Sequence, residues 1–228
     1  MFTASELVES LKGQLVVSCQ AYPGEPMRQP QTTAQVAASA VLGGAAAVRV
    51  QGIADIQFTR NSVEVPVIGL WKDGHEGIFI TPTLNHALSV AHAGAHIVAL
   101  DGTTRERPDG LSLAETIRGV HERSHALVMA DCDSFEAAQA AVEAGADFIG
   151  TTLAGYTDAR AKTDGPDLEL LRSIAEAGFD VPLIAEGRIH TPAQAREALD
   201  AGAHAVVVGT AITHPISITG WFKNALSH

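Results

Sequence analysis

The chain has 228 residues, of which 46% are hydrophobic and 18% are charged. This composition excludes an intrinsically disordered chain and supplies enough apolar side chains for a sizeable core. Lysine and arginine number 15 against 26 acidic residues, and the formal net charge of −11 argues against nucleic acid or an anionic membrane as a partner. The length fits one domain over residues 1–228, since barrels of this size commonly form a single domain.

The cysteines and the uncharged stretches indicate a chain in a reducing compartment without a membrane span. The two cysteines, Cys19 and Cys132, provide neither a disulfide framework nor a zinc-binding spacing. The stretches without formal charge, 29–48 and 201–222, contain too many small and polar residues to cross a bilayer. The N-terminal segment carries two glutamates before any apolar run, unlike a secretory signal. We therefore expect a cytoplasmic protein.

In chain order, the first predicted element is a helix over Ala4–Leu11, and a repeat follows it. An alanine-rich helical stretch, a glycine-alanine pair and an apolar run rich in valine and isoleucine recur together four times. The glycine of each copy fits the left-handed position that ends a helix, and the apolar run fits a buried strand. The copies lie at 42–50, 92–100, 143–150 and 200–209, with their glycines at Gly44, Gly94, Gly145 and Gly202.

Further strands and helices alternate with these repeats. Four more apolar runs predict strands at 15–20, 65–71, 125–131 and 181–187. Amphipathic runs predict helices at 82–93, 112–123, 134–144, 167–177 and 192–201. Three of these helices have candidate caps at their starts, namely Thr81-Pro82, Asp133-Ser134 and Thr191-Pro192.

Eight strand-and-helix units of about 25 residues each predict an α/β fold, the (β/α)8 TIM barrel. The helix over Ala4–Leu11 is the extra element, and we expect it to close the bottom of the barrel. The alternative is an open, doubly wound sheet, but such sheets rarely carry a two-unit repeat through four copies.

The C-terminal ends of the strands carry the chemistry of such a barrel. All eight predicted strands end in a polar or glycine position. Polar residues also begin loops for structural reasons, but eight such positions at one mouth predict a site there. The positions are Gln20, Arg49, Lys72, Asp101, Asp131, Thr151 with Thr152, Glu186, and Gly209 with Thr210.

Lys72 and Glu186 are the predicted catalytic pair, because they end strands three and seven and so face each other across the mouth. Burial beside a cation such as Arg49 lowers the pKa of a lysine towards neutrality, and burial raises the pKa of a carboxyl group. Such a pair can remove a proton from one face of a carbon and return one to the other face. Two alternatives remain: an ion pair that only holds the rim together, and a Schiff-base lysine.

The loops after strands seven and eight predict a phosphate site, which is the usual position in barrels of this type. Gly187 and Gly209 let backbone N–H groups approach an anion closely, and a helix N-terminus adds a favourable dipole. Arg188 and Thr210 offer side-chain donors as well. Two ordinary glycine turns are the alternative.

Neither a metal nor an organic cofactor is expected. Three strand ends offer carboxylates, at Asp101, Asp131 and Glu186, but no histidine ends a strand to complete a set of metal ligands. A divalent ion at these carboxylates is the alternative. The chain has no GxGxxG motif after strand one and no P-loop, so nicotinamide and ATP are unsupported.

The strand-end segments together closely resemble the N-acetylmannosamine-6-phosphate 2-epimerase family, over about residues 11–225. The segments that carry the resemblance are VVSCQAYPGEP (16–26), VPVIGLWK (65–72), ALDGTTRERPDG (99–110), MADC (129–132), GTTLAGYT (150–157), AEGRIHTPAQA (185–195) and HAVVVGTAIT (204–213). The resemblance implies a cofactor-independent isomerase that interconverts N-acetylmannosamine 6-phosphate and N-acetylglucosamine 6-phosphate in bacterial sialic-acid breakdown. It also favours a homodimer.

The resemblance also implies roles for individual residues. The catalytic lysine and glutamate of the family match Lys72 and Glu186. Its substrate contacts match Gln20, Arg49 and Asp131, and we add Thr152 to this set from its position at the mouth. Its phosphate contacts match the backbone at Gly187, Arg188, Gly209 and Thr210.

Two segments depart from the family pattern. The family usually continues the strand-three lysine as Lys-Arg-Asp, whereas this chain has an altered loop over Asp73–Gly77. The family also usually has arginine where this chain has His214. If that arginine holds the phosphate, His214 replaces it in part and better when protonated, so phosphate affinity is expected to weaken at high pH. Beyond it, the apolar residues of the helix over 216–226 are expected to cover the barrel or a partner.

Two other functions stay open from the sequence. One is a different phosphosugar barrel, such as a ribulose-phosphate 3-epimerase or an amino-acid-pathway isomerase, although this chain lacks the metal-binding histidines at strand ends. The other is a non-catalytic barrel that binds a phosphosugar, against which the presence of both Lys72 and Glu186 argues.

Overall fold

The structure, a computed structural model, describes residues 2–227. Eight parallel strands close into a barrel in chain order, because β8 pairs back onto β1. The strands are β1 Leu15–Cys19, β2 Ala47–Gln51, β3 Val67–Leu70, β4 Ile97–Asp101, β5 Leu127–Asp131, β6 Phe148–Gly150, β7 Leu183–Glu186 and β8 Ala205–Val208. The predicted TIM barrel is confirmed, and closure of the sheet rules out the open alternative.

Helices lie between and around the strands. They are α1 Ala4–Leu11, α2 Pro30–Leu42, α3 Ile53–Arg60, α4 Leu84–His92, α5 Leu113–Arg123, α6 Phe135–Glu143, α7 Leu168–Glu176, α8 Pro192–Asp200, α9 Thr210–Thr213 and α10 Pro215–Ala225. The predicted extra helix α1 packs Leu7 and Leu11 against the lower barrel interior, where they join a cluster with Val16 and Ile97. This helix therefore closes the bottom of the barrel, as predicted.

The repeat glycines have the predicted backbone conformation. Each follows an even-numbered helix from α2 to α8 and has a φ between 90° and 108°, in the left-handed region that favours glycine. The four are Gly44, Gly94, Gly145 and Gly202. Each of these glycines lets the chain turn from a helix into a buried strand.

Two of the three predicted cap segments contain the observed cap residue, and one does not. Ser134 and Thr191 cap α6 and α8 through their side chains. The cap of α4 is Thr83 and not Thr81. Thr81 is buried in a left-handed conformation with φ 47°, and its hydroxyl donates to the backbone oxygen of Ala99 at 2.7 Å. Thr81 therefore links the loop after β3 to β4. Helix α4 begins two residues later than predicted.

Alternation along the strands determines which side chains face the barrel interior. The lower interior is filled by apolar residues such as Ile68, Met129, Phe148 and Ile184. Since successive strand residues point to opposite faces, the residues two positions further along also point inward. This periodicity brings the polar strand ends together above an apolar floor.

No helix of residues 2–227 has the length and apolar character needed to cross a membrane.

Candidate active site

The mouth of the barrel holds a cavity of about 630 Å³ at the C-terminal ends of the strands. Eight of the ten predicted site residues line it: Gln20, Lys72, Thr152, Glu186, Gly187, Arg188, Gly209 and Thr210. The other two, Arg49 and Asp131, lie beneath this lining. The structure therefore brings the predicted set together, in two levels.

Arg49 and Asp131 form the lower level as a buried ion pair. The guanidinium binds both oxygens of Asp131, at 3.0 and 2.6 Å, and the side chains are 1% and 0% exposed. The sequence places Arg49 at the end of strand two, but β2 continues to Gln51, so Arg49 lies one inward position deeper than predicted. Direct contact of either residue with a substrate stays a prediction.

Glu186 ends β7 and faces both levels of the site. Its Oε2 lies 2.7 Å from Nη1 of Arg49, and its side chain is 13% exposed. Burial raises the pKa of Glu186 to about 7; the charge of Arg49 opposes this rise and the charge of Asp131 adds to it. The backbone of Glu186 is held by Thr151, whose hydroxyl donates to its carbonyl and accepts from its N–H. The carboxyl group is therefore fixed in place and able to exchange a proton near neutral pH.

Lys72 lies on the opposite wall, two residues beyond β3. Burial and the nearby charge of Arg49 together lower the pKa of Lys72 to about 8, against the opposing charges of Glu186 and Asp131. A short antiparallel pairing with Ile80 holds the backbone of Lys72. Its Nζ lies 5.5 Å from the centre of the Tyr22 ring, which covers it from the loop after β1. The lysine is therefore positioned and partly neutral near pH 8.

The alternative of a rim ion pair does not match the contacts of Glu186. Within residues 2–227, no ion pair joins Lys72 to Glu186, and the ion-pair partner of the carboxylate is Arg49. Because β3 and β7 lie four strands apart in a barrel of eight, the two groups approach the cavity from opposite sides. Space is therefore left between them for a ligand.

The predicted phosphate loops bring four backbone positions to one side of the cavity. Gly187 and Arg188 both have positive φ, of 115° and 55°, which turns the chain sharply after β7. Thr210 begins α9 directly after Gly209, and the first N–H groups of a helix have no acceptor within it. The backbone of both loops is thus suited to an anion.

The side chain of Arg188 is engaged elsewhere than predicted. Its guanidinium donates to the carbonyls of Ala154 and Gly165, at 2.7 and 3.1 Å, and to the hydroxyl of Thr163 at 2.9 Å. These bonds hold the long loop between β6 and α7 against the mouth. A phosphate contact through the backbone of Arg188 stays a prediction.

His214 lies at the mouth with both ring nitrogens engaged. Nδ1 accepts from the backbone N–H of Ser217 and caps α10, while Nε2 lies 2.9 Å from Oε1 of Glu25. These contacts join the loop after β1 to α10. His214 was expected to replace a phosphate-binding arginine in part. Both of its ring nitrogens already have partners, so neither is free to bind a phosphate. Nothing in the sequence pointed to Glu25 beyond its place in the PGEP segment.

The polar end of β4 lies outside the cavity. Asp101 is fully buried and accepts from Thr103 at 2.6 Å and from Arg105 at 2.7 Å. Arg105 also donates to the carbonyl of Gly77, in the altered loop after Lys72. Asp101 therefore helps to hold that loop, and the sequence was wrong to include it among the residues that meet at the mouth.

Aromatic side chains missing from the predicted set complete the cavity wall. Tyr22, Phe79 and Tyr156 line it from three different loops. Loop residues have no strand periodicity, so the sequence offered no signal to place them. Among the described residues, no group of three or more histidine, cysteine, aspartate or glutamate side chains is arranged to hold a metal ion.

Comparison with known proteins places these features in one family. Residues 33–228 match the family model described as "Putative N-acetylmannosamine-6-phosphate epimerase". Two proteins named "Putative N-acetylmannosamine-6-phosphate 2-epimerase" are similar along nearly the full length. The one from Cutibacterium acnes is 62% identical over 96% of each chain, and the one from Corynebacterium glutamicum is 48% identical over 97% of each chain.

A solved structure shows the same likeness in three dimensions. The N-acetylmannosamine-6-phosphate 2-epimerase from Clostridium perfringens superposes with a TM-score of 0.92, at 36% identity and over 96% of each chain. Sequence and fold thus agree over nearly the whole chain. The chain belongs to the N-acetylmannosamine-6-phosphate epimerase family of isomerases.

Proposed function

We propose that this protein interconverts N-acetylmannosamine 6-phosphate and N-acetylglucosamine 6-phosphate by moving the proton on C2 of the open-chain sugar, in bacterial sialic-acid breakdown. The observation that carries the proposal is the pair of Lys72 and Glu186. They lie on opposite walls of one cavity, no ion pair joins them within the described residues, and their pKa values are shifted towards each other. The membership of the family supports the choice of substrate.

The chemistry needs only an acid and a base. C2 of the open-chain sugar is next to the C1 aldehyde, and the carbonyl makes the C2 proton acidic enough for removal by a positioned side chain. One group removes the proton from one face of C2, and the group on the opposite wall delivers a proton to the other face. The configuration at C2 is thereby inverted without a change in oxidation state.

The closeness of the two pKa values suits a reversible reaction. The pKa values of about 8 for Lys72 and about 7 for Glu186 lie close together. The form with a neutral lysine and a protonated glutamate is therefore close in free energy to the form with both groups charged. In one form the lysine is the free base, and in the other the carboxylate is. Either epimer can therefore find a base on the side of C2 that carries its proton.

The remaining predicted contacts orient the substrate. We assign the phosphate to the backbone of Gly187, Arg188, Gly209 and Thr210, where N–H groups offset the negative net charge of the chain locally. Gln20 is suited to a sugar hydroxyl, since its Oε1 is buried and has no hydrogen-bond partner among the described residues. Thr152 lines the same cavity beside Glu186.

Turnover in deuterated water tests the proposal directly. Removal and return of the proton by two exchanging side chains should place deuterium at C2 of the product, because each group equilibrates with solvent between turnovers. The label is measured by NMR or mass spectrometry on product that a coupled irreversible step has trapped. Product formed without label would contradict a two-residue proton transfer, since it indicates a hydride shift or complete internal return.

The same assay separates the competing functions. We expect an unchanged rate after treatment with a strong chelator, since the proposed chemistry uses side chains alone. Loss of activity that a divalent ion restores would favour a ribulose-phosphate-type mechanism. Binding of the phosphosugar with no turnover at all would favour a non-catalytic barrel.

A homodimer is the second part of the proposal, and α10 carries it. No residue of this helix is buried, and its apolar side chains include Phe222, which is 70% exposed, and Ile216, which is 57% exposed. Apolar side chains on one exposed helix mark an interaction surface. A second copy of the chain is the partner that the family resemblance favours.

The oligomeric state in solution tests this surface. We expect a dimer in analytical ultracentrifugation and a shift towards monomer in Phe222→Asp, because a carboxylate in an apolar interface costs desolvation free energy. Asn224→Asp adds the same charge to the same helix at an exposed position and is the matched control. A monomeric unmodified protein, or equal dissociation of both variants, would contradict the assignment of the interface to Phe222.

We also infer a cytoplasmic setting. Cys19 and Cys132 are both free and both buried, as suits a reducing compartment.

A further inference from the structure

The hydroxyl group of Thr152 lies between two carboxyl groups at the floor of the cavity. Its Oγ1 is 2.7 Å from Oδ1 of Asp131 and 3.2 Å from Oε2 of Glu186. A threonine hydroxyl has one proton to donate and two lone pairs that accept. Thr152 can therefore donate to one carboxyl group and accept from the other.

Asp131 is the group that accepts the hydrogen bond from the hydroxyl of Thr152. It is fully buried, and both of its oxygens accept hydrogen bonds from the guanidinium of Arg49. The shorter of the two distances to Thr152 is also the one to Asp131. With its proton turned to Asp131, Oγ1 presents a lone pair towards Glu186.

The charges that face Glu186 leave its protonation finely balanced. Burial and Asp131 from β5 favour the neutral form, while Arg49 from β2 and Lys72 beyond β3 favour the ionised carboxylate, as a hydrogen bond donated by Thr152 would also do. The result is a pKa of about 7, at which both forms are populated near neutral pH. One hydrogen bond that distinguishes the two forms is enough to move this balance.

We propose that Thr152 is a positioning residue for Glu186: its hydroxyl donates to Asp131 and accepts from the carboxyl group of Glu186, and so holds Glu186 in its neutral, proton-donating form. Thr152 then transmits the fixed charge of Asp131 to the group that delivers a proton to C2. The inference rests on the proposed function for its catalytic meaning. The hydrogen-bond direction itself is tested without substrate.

The variant Thr152→Val removes the hydroxyl and keeps the shape of the side chain. We expect the titration midpoint of Glu186 to fall by about 0.5 to 1 unit, the shift that corresponds to one hydrogen bond lost from the neutral form. The midpoint is read by ¹³C NMR on substrate-free protein labelled at the glutamate carboxyl carbons, with Glu186→Gln identifying the resonance. The acid limb of kcat/KM should move to lower pH by the same amount.

Asp131 does not explain a downward shift in this variant. It keeps both hydrogen bonds from Arg49, and the loss of a donor from Thr152 leaves its negative charge less neutralised. A less neutralised neighbour raises the midpoint of Glu186. A fall in the titration midpoint of Glu186 therefore shows that the hydroxyl of Thr152 accepted a hydrogen bond from its carboxyl group.

Three further variants complete the experiment. Thr152→Ser keeps the hydroxyl and should keep the midpoint of the unmodified protein. Thr157→Val removes a matching hydroxyl-to-carboxylate bond, to Asp133 at 2.7 Å in the same loop, and should leave the midpoint unmoved. If Thr152→Val does not fold, Thr152→Ala is titrated in its place with the same expected sign.

Two results would overturn the inference. A midpoint that rises without the hydroxyl shows that Thr152 donates to Glu186, and an unmoved midpoint shows that the contact has no preference for either form. Failure of the proposed function is distinguishable, because it appears as absent turnover in the unmodified protein whatever the carboxyl titration shows.

Discussion

Replacing Lys72 with alanine should lower kcat by about 10²- to 10⁴-fold, because a positioned acid or base typically contributes that factor to a proton transfer. Glu186→Gln should cause a loss of the same order, since the amide keeps the shape of the carboxyl group but cannot exchange a proton. Both variants should fold. Arg49 keeps its two bonds to Asp131 when the carboxylate of Glu186 is removed, so no buried charge is left without a partner.

The double variant and a melting curve separate catalysis from structure. The effects of two groups that act together in one catalysed reaction are strongly non-additive, so the double variant should fall little below the worse single variant. Lys162→Ala is the matched control, because this lysine lies over the ring of Tyr156 at the rim, at 5.0 Å, outside the set of residues that line the cavity. If Lys72→Ala retains near-normal turnover with an intact melting temperature, Lys72 is not the base, and the proposed mechanism fails.

The fold could be predicted from the sequence because its signal is periodic. The recurring glycine before each second strand has a single backbone reason, the left-handed turn at the end of a helix. The same period of two along each strand brings Lys72 and Glu186 to one mouth from residues far apart in the chain. Local rules of this kind are repeated eight times, so an error at one cap such as Thr81 does not change the architecture.

Depth and loop contacts could not be predicted in the same way. Arg49 lies one inward position below the mouth because β2 extends two residues beyond it, and the length of a strand depends on its neighbours. Asp101 points into a network with Thr103 and Arg105 that the loop after β4 creates. Such contacts join segments with no common period, and only the folded chain shows them.

The contacts of His214 illustrate the same limit. The sequence alone suggested a weak phosphate ligand, because the residue stands where the family usually has arginine. In the structure its ring bonds to Glu25, from a loop 189 residues away along the chain, and to Ser217. A partner this distant carries no signal in local sequence, so His214 is found to join the loop after β1 to α10 instead of serving as a predicted ligand.

The largest expected effect on substrate binding comes from Gly209, whose missing side chain leaves room beside the backbone at the start of α9. A Cβ at this position would lie 3.2 Å from Cβ of Ser18. We expect a branched side chain to hinder the approach of the phosphate to the backbone here. We expect KM for the phosphosugar to rise by about 10- to 100-fold in Gly209→Val, which corresponds to the loss of one hydrogen bond to a charged group. A smaller rise should follow in Gly209→Ala.

Inorganic phosphate separates a lost anion site from a distorted barrel. As a competitive inhibitor it reports the anion site alone, so its inhibition constant should weaken in parallel with KM while kcat at saturation changes little. The contact with Ser18 is tight enough to lower the melting temperature, and Gly220→Ala, where a Cβ meets nothing within 4 Å, is the control for a glycine replaced without a clash. If KM and the phosphate inhibition constant both stay unchanged in Gly209→Val, the phosphate binds elsewhere in the mouth and the assignment to the loops after β7 and β8 is wrong.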